Sequence, residues 1–372
     1  MTEIPLPTRL FTAMLGAYEL STVYLGVRLG CYTSLALAGP ANAGELATRC
    51  GIHPRYAREW LEQQAVAGFL VVDDPAAAAD ARLYALPPEH AELADPDGSL
   101  AAMAFMHAGI GSVTARLVDA YRDGTGLAYA EYGADVRAGQ AGFVRDTYPE
   151  LLPAVIRAAT AAVGATGDGS AGDGRAAGNG FATGGAGWTP GRIADLGCGA
   201  GWSSLALAAA YPDVRVDGLD TDAACIAEAR TNAAAAGVAD RVVFELCDAA
   251  EPVLAGRYDV AVFCDVLHDL ARPVEALVSA RGLLTGRGFV VVVDEAASDT
   301  FSAPGDQLQR GLYVASVLHC LPVGMSEQPS AGTGALMRID TLRGHARDAG
   351  FAAVRELPVA DGAGMRAYLL TV

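Results

Sequence analysis

The chain has 372 residues, enough for two domains, and 52% of them are apolar, which supports a sizeable core. Its formal net charge of −17 argues against duplex DNA or an anionic membrane surface as the main partner. All 26 basic residues are arginine, so chemistry that needs a lysine is excluded: a Walker-type phosphate loop, a Schiff base, a pyridoxal enzyme.

The N-terminal stretch MTEIPLPTRLFTAML lacks a basic region followed by a long apolar run, and predicts no signal peptide. No uninterrupted apolar run reaches about 18 residues, so no membrane span is expected. Cys31, Cys50, Cys198, Cys225, Cys247, Cys264 and Cys320 form no CxxC pair. An odd, scattered set of thiols suits a reduced, cytoplasmic protein.

Residues 8–38 carry apolar positions at helical spacing (Leu10, Met14, Leu15, Tyr18, Tyr24, Leu25) and predict one or two helices. A short helix over 44–50, a turn at Gly51, a helix over 54–67, then Gly68 and an apolar strand follow. ARLYALPPEHAELAD supplies a return strand, giving a winged-helix pattern. Within the second helix Arg55 and Arg58 are offset by Glu59 and Glu62, while Leu61, Val66 and Phe69 suit packing. The pattern therefore fits a structural or dimerisation module better than a DNA reader. Helices continue from 99 to 160. Residues 164–191 hold eleven glycines among 28 residues, which predicts a flexible linker between a helical domain (1–163) and a second domain (192–372).

From 192 the texture alternates. Strands are expected at 192–197, 214–219, 241–247, 258–264, 288–294, 353–358 and 366–371, with helices at 202–210, 222–236, 273–284 and 340–349. This order implies an α/β, Rossmann-like seven-stranded sheet, mostly parallel, with the last strand antiparallel. Ligands in such sheets sit at the carboxyl ends of the strands.

The first strand runs into IADLGCGAGWSS. Gly197, Gly199 and Gly201 precede a helix that Ser203 or Ser204 is placed to cap. A dinucleotide site wants G-x-G-x-x-G, but the position three after Gly199 is Trp202, so a pyrophosphate fits poorly. The spacing suits a ligand without phosphates whose polar head lies along the turn. RVDGLDTD ends the next strand in Asp220, a carboxylate able to accept both ribose hydroxyls, and FELCDAAE brings Asp248 to an adenine amino group.

With these motifs in register, the sequence resembles the class I S-adenosylmethionine-dependent methyltransferases over 192–372. RYAREWLEQQAVAGFL, LPPEHAELADPDGSL, FSAPGD, SVLHCLPVGMSEQPSAGTG and TLRGHARDAGF extend the resemblance to bacterial two-domain members with a winged-helix-like N-terminal domain. The resemblance implies that Gly197, Gly199 and Gly201 line the methionine part, that Asp195 holds its ammonium, that Asp220 binds the ribose and Asp248 the adenine. It further implies cofactor contacts at Thr221, Ala249 and Cys264, S-adenosylhomocysteine as product, and a homodimer built by the N-terminal helices. It names no acceptor.

The acceptor chemistry is expected on the same rim. VFCDVLHDLARP brings Cys264 and Asp265 to a strand end, with His268 and Asp269 on the following loop; VVVDEAA adds Asp294 and Glu295. Neutral His268 is the first candidate for a base, with His319 and Asp265 as further catalytic candidates and His107 open; the alternative for each histidine is a structural role. Leu308, Leu312, Tyr313, Val317 and Leu318 fall near helical spacing and form either an apolar acceptor pocket with Met103, Phe105 and Met106 or ordinary core. The expected acceptor is a small, largely apolar molecule, with neither nucleic acid nor membrane as partner. No resident metal is assigned. Two alternatives remain: a regulator that senses S-adenosylmethionine, and an iron-assisted C-methyltransferase of an α-keto acid using His268, Asp269 and His319 as a facial triad.

Overall fold

The computed structural model describes residues 4–166, 189–251, 258–360 and 364–372. Most of the glycine-rich segment read as a linker lies outside the described residues. Packing divides the chain into one unit, Met1–Val113 with Tyr132–Phe143, and another, Thr114–Glu131 with Val144–Val372.

The first unit opens with α1 (Leu6–Arg28), α2 (Cys31–Ala38), α3 (Ala43–Cys50) and α4 (Pro54–Val66). Helix α3 starts at a reciprocal cap: Asn42 Oδ1 accepts from the Glu45 backbone N–H, and the Glu45 carboxylate accepts from that of Asn42, each at 3.0 Å. Helix α4 starts on Pro54, where a missing N–H costs nothing. Gly26 lets α1 approach α4, since a Cβ there would lie 2.4 Å from the Trp60 indole. Trp60 Nε1 donates to the Thr22 carbonyl at 3.0 Å and locks the crossing.

A minimal antiparallel wing, β1 (Val71–Val72) and β2 (Tyr84–Ala85), follows. The expected return strand is cut short because Pro87 and Pro88 cannot donate to a ladder, and Pro88–Ala94 winds into a 3₁₀ helix instead. On the outer face of α4, Arg55 pairs with Glu59, and Arg58 and Arg82 pair with Glu62. Helices α5 (Ser99–Asp123) and α6 (Gly133–Val144) complete the helical part.

Both α1 and α5 are long and apolar enough, by length and composition, to cross a membrane. The sequence reading expected no such segment, because polar residues such as Arg9 and Glu19 interrupt the run in α1. Leu10, Phe11, Met14, Leu15 and Tyr18 of α1 are exposed.

In the second unit, α7 (Tyr148–Thr166) packs on the sheet, so the division by packing falls before the glycine-rich segment rather than within it. Its Leu152, Val155, Ile156 and Ala159 recur at helical spacing and bury against Ile193, Val260 and Val262. The sheet strands are β3 (Arg192–Leu196), β4 (Arg215–Asp220), β5 (Val242–Leu246), β6 (Tyr258–Cys264), β7 (Leu284–Glu295), β8 (Ala353–Leu357) and β9 (Met365–Thr371). Between them run α8 (Trp202–Ala210), α9 (Ala223–Ala235), α10 (Pro273–Leu283), α11 (Gln307–Ala315), α12 (Leu321–Gly324) and α13 (Ile339–Asp348).

The strand order is β5-β4-β3-β6-β7-β9-β8. The first five are mutually parallel, and β9 runs antiparallel to both neighbours. Alternation along β6 sends Val260, Val262 and Cys264 to the face covered by α7, α8 and α9, and Ala261 and Phe263 to the face covered by α10 and α13. A sheet buried on both faces accounts for near-continuous apolar strands such as FVVVV. The order reverses between β3 and β6, so the crevice at their carboxyl ends is the place for a ligand.

Candidate functional site

The turn after β3 shows three glycines doing different jobs. Gly197, Gly199 and Gly201 all have positive φ, at 78°, 51° and 85°. A Cβ on Gly197 would meet Val266 at 2.5 Å, and one on Gly201 would meet Phe244 at 2.7 Å, whereas one on Gly199 would meet nothing. Two glycines therefore fit the turn into the protein, and Gly199 alone faces open space. The backbone N–H groups of Gly197 and Cys198 donate to the Leu219 carbonyl, that of Gly201 to the Cys198 carbonyl, and that of Gly199 to Asp220 Oδ2 at 2.8 Å. With these four donors engaged, the turn has few left for a phosphate.

Asp195, the last but one residue of β3, is fully buried. Its Oδ2 accepts from Ser203 Oγ and Ser204 Oγ, both at 2.6 Å, while Oδ1 has no partner among the described residues. The serines therefore serve Asp195 and do not cap α8, whose N-cap is Gly201. Burial pushes the Asp195 carboxyl up to about 6, against the pull of the two hydroxyls. A buried carboxylate with one open oxygen is suited to a cationic hydrogen-bond donor.

Asp220 stands at the end of β4; its Oδ1 accepts from the Asp222 backbone at 2.8 Å, and burial raises its pKa. Each oxygen keeps acceptor capacity beyond these bonds. Thr221 beside it is exposed, and Asp222 caps α9. Beyond β5, Asp248 Oδ1 accepts from the Ala250 backbone at 2.7 Å, and Ala249 is buried. Asp248 also pairs with Arg272, which bridges to Glu251 at 2.9 Å. Nothing in the sequence around Asp248 announces this arginine, which arrives from 24 residues away across the next strand.

At the end of β6, Cys264 is buried, and Asp265 takes a positive φ of 55°. That conformation is uncommon for a residue other than glycine, although Asp tolerates it better than most. Asp265 Oδ1 is buried without a partner among the described residues, and burial lifts the carboxyl to about 6. His268 Nδ1 lies 2.6 Å from Asp294 Oδ1, and His268 Nε2 lies 3.1 Å from Asp269 Oδ1. Burial disfavours the imidazolium, but the two carboxylates prevail and hold His268 well above its ordinary value. This environment favours the charged ring over the neutral one expected of a base. Glu295 is pushed up to about 8, chiefly by burial.

His319 sits in one π-helical turn, Ser316–Cys320, between α11 and α12. Its ring meets Tyr129 edge-on at 5.8 Å, and burial lowers its pKa. The 114–131 segment is tied to this region by Tyr121 Oη donating to the Val317 carbonyl at 2.7 Å and the Leu127 N–H donating to the Pro322 carbonyl at 2.9 Å. The donor groups brought within 4.8 Å of one another are His268, Asp269 and Cys320, and Asp265, His268 and Asp294; His319 is in neither set. Of the apolar residues assigned to an acceptor wall, Leu312 is buried while Leu308, Tyr313 and Val317 are exposed. In the first unit Phe105 is buried, Met103 is exposed, and His107 Nε2 lies 3.1 Å from Ser21 Oγ. Tyr148, missed in the sequence, is buried at the start of α7; burial first, and then the nearby Asp265, Cys264, Asp195 and Asp294 side chains, raise its pKa.

A seven-stranded Rossmann-like sheet with an acidic, glycine-turned rim, preceded by a winged-helix unit, is the architecture of a two-domain methyltransferase. Residues 191–314 match the family described as Methyltransferase domain, and residues 19–94 match the Rv2258c-like winged HTH domain. The chain therefore carries a methyltransferase domain behind a winged-helix domain. Among solved structures, it is similar to the human N-acetylserotonin methyltransferase in complex with SAM (17% identity, 100% of this chain and 99% of that one, TM-score 0.65). It is likewise similar to the mitomycin 7-O-methyltransferase MmcR (20%, 98% and 97%, TM-score 0.66) and to an O-methyltransferase family protein from Burkholderia thailandensis (16%, 99% and 98%, TM-score 0.68). An uncharacterized protein of Synechococcus sp. is 34% identical over 102 residues; the match covers 27% of this chain and 24% of that protein's length.

Proposed function

We propose that the protein transfers a methyl group from S-adenosylmethionine to a small, largely apolar acceptor, with S-adenosylhomocysteine as the second product. The buried Asp195 Oδ1, open beside a turn that spends its N–H groups internally, carries this reading. It fits the ammonium of an amino acid and disfavours a phosphate. In this reading Asp195 holds the ammonium, Gly197, Gly199 and Gly201 border the methionine part, Asp220 and Thr221 take the ribose, Asp248 and Ala249 the adenine, and Cys264 walls the sulfonium. The likeness to O-methyltransferases favours a hydroxyl acceptor, and the mitomycin enzyme points to a natural-product substrate.

The cofactor supplies an electrophilic methyl group, so the protein's task is alignment, exclusion of water and removal of one proton. Good alignment alone contributes roughly 7–11 kcal/mol. His268, held between Asp269 and Asp294 in an environment that favours its charged form, organises the rim and offsets part of its negative charge. His319, kept neutral by burial, receives the acceptor proton, and Asp265 borders the transferred methyl. His319→Ala is expected to lower kcat by about 100-fold or more while cofactor binding persists. An unchanged kcat would remove His319 from the mechanism.

One observation favours a second reading. His268, Asp269 and Cys320 bring donor atoms within 4.8 Å of one another, a cluster suited to a cation once His268 gives up its proton. His268 and Asp269 with His319, which lies outside that cluster, have the donor types of a two-histidine, one-carboxylate iron site, which would bind an α-keto acid acceptor for C-methylation. Metal analysis of the purified protein and of His268→Ala distinguishes the readings: stoichiometric iron lost in the variant supports the second, and its absence from the native protein supports the first.

The exposed apolar face of α1 fits a homodimer, and the thiols fit a cytoplasmic location. The locally neutralised arginines of α4 disfavour a DNA-binding regulator, so no gel-shift is expected at physiological salt.

A further inference from the structure

The first unit holds a cavity of about 350 Å³ made from its own elements, in the size range of small-molecule sites. Leu20 and Val23 of α1, Phe69, Leu93 and Met103 give it an apolar body. Its polar groups are Glu19, Glu89 and His90. Neither carboxylate has an ion pair or side-chain hydrogen bond among the described residues, although arginines neutralise acids elsewhere in this unit. His90 Nδ1 lies 2.9 Å from the Phe69 carbonyl. A carbonyl only accepts, so His90 Nδ1 carries a proton and donates to it. The cavity's apolar wall thus carries two negative acceptors, the half-buried Glu19 and the exposed Glu89.

From this geometry we infer that the cavity is a binding site for a small apolar amine in its ammonium form. A neutral or anionic ligand of the same shape leaves the carboxylates to water, whereas an ammonium supplies three N–H donors and a charge. Two sources share this chemistry: an amine acceptor held before methylation, and an effector that is never methylated.

The test is calorimetric titration of the full chain with 2-phenylethylamine, tryptamine and octylamine, each against its neutral alcohol counterpart and without methyl donor. At least one amine is expected to bind one-to-one and about tenfold tighter than its alcohol. Glu19→Gln/Glu89→Gln is expected to weaken amine binding about tenfold and leave alcohol binding unchanged. Leu20→Trp, checked for folding by circular dichroism, is expected to fill the cavity and abolish both. Equal binding of amine and alcohol, indifference to the double carboxamide variant, or no saturation by any amine up to about 10 mM overturns the inference. Incubation with labelled S-adenosylmethionine then separates the sources, since a methylated amine marks an acceptor and an unmodified, bound amine marks an effector. Because binding is read without methyl donor, its failure says nothing about methyl transfer, and a failed methyl transfer leaves the site standing.

Discussion

Asp195 is where one side chain decides most. Its carboxyl lies near 6 in the free protein because burial outweighs two serine hydroxyls. A bound ammonium would favour the ionised form and lower that value, so affinity for S-adenosylmethionine is full above pH 6 and falls as pH drops through it, by up to about tenfold per unit. Titrations between pH 5 and 8 (roughly the span in which this group changes charge) should show the fall in the native protein and a weaker, shallower profile in Asp195→Asn, where Asp220 and Asp265 still titrate. The glycines offer a second contrast. Gly201→Ala sets a Cβ 2.7 Å from Phe244 at a φ of 85°, and is expected to cost about 2–4 kcal/mol in urea unfolding. Gly199→Ala opens onto free space and is expected to cost only about 1 kcal/mol of stability while weakening the cofactor. Equal stability losses would show that the turn is not divided in this way.

At the level of elements, strand ends carried the legible part of the site. The alternation of apolar runs with helices located β3, β4, β5 and β6, and Asp195, Asp220, Asp248 and Asp265 lie at or within two residues of their carboxyl ends. What stayed hidden are contacts between elements far apart in the chain. Arg272 on Asp248 belongs to this group, as do Tyr129 against His319 and the two carboxylates that clamp His268. Local spacing carries no information about such partners, so His268 read as a plain neutral base. The π turn was equally invisible, since an inserted residue leaves no periodic mark in a five-residue window. Helix α7 was grouped with the N-terminal helices because a helix pattern does not say which sheet or bundle it covers. Its Ile156 is 2% exposed against the sheet, so Ile156→Ala is expected to cost about 2–5 kcal/mol in the second unit, read as its own unfolding transition. A loss confined to the first unit would contradict the assignment.

On the scale of the whole molecule, the chain carries a net charge of −17 without a single lysine, while α1 presents a row of exposed apolar side chains. If a second copy covers that row, Leu10→Glu/Met14→Glu should yield a folded monomer in analytical ultracentrifugation where the native chain sediments as a dimer; a native monomer would count against the interface. The acidic rim gives the molecule its functional logic. Asp195, Asp220, Asp265, Asp294 and Glu295 crowd the strand ends near the buried His268, and a sulfonium that also carries an ammonium is a ligand whose charge relieves them. Calorimetric titration of S-adenosylmethionine into the native protein and into Asp220→Ala is the most direct test of that account. It predicts one-to-one binding weakened by about 1.5–3 kcal/mol in the variant; no saturable binding to the native chain, or identical affinities for the two, would contradict it.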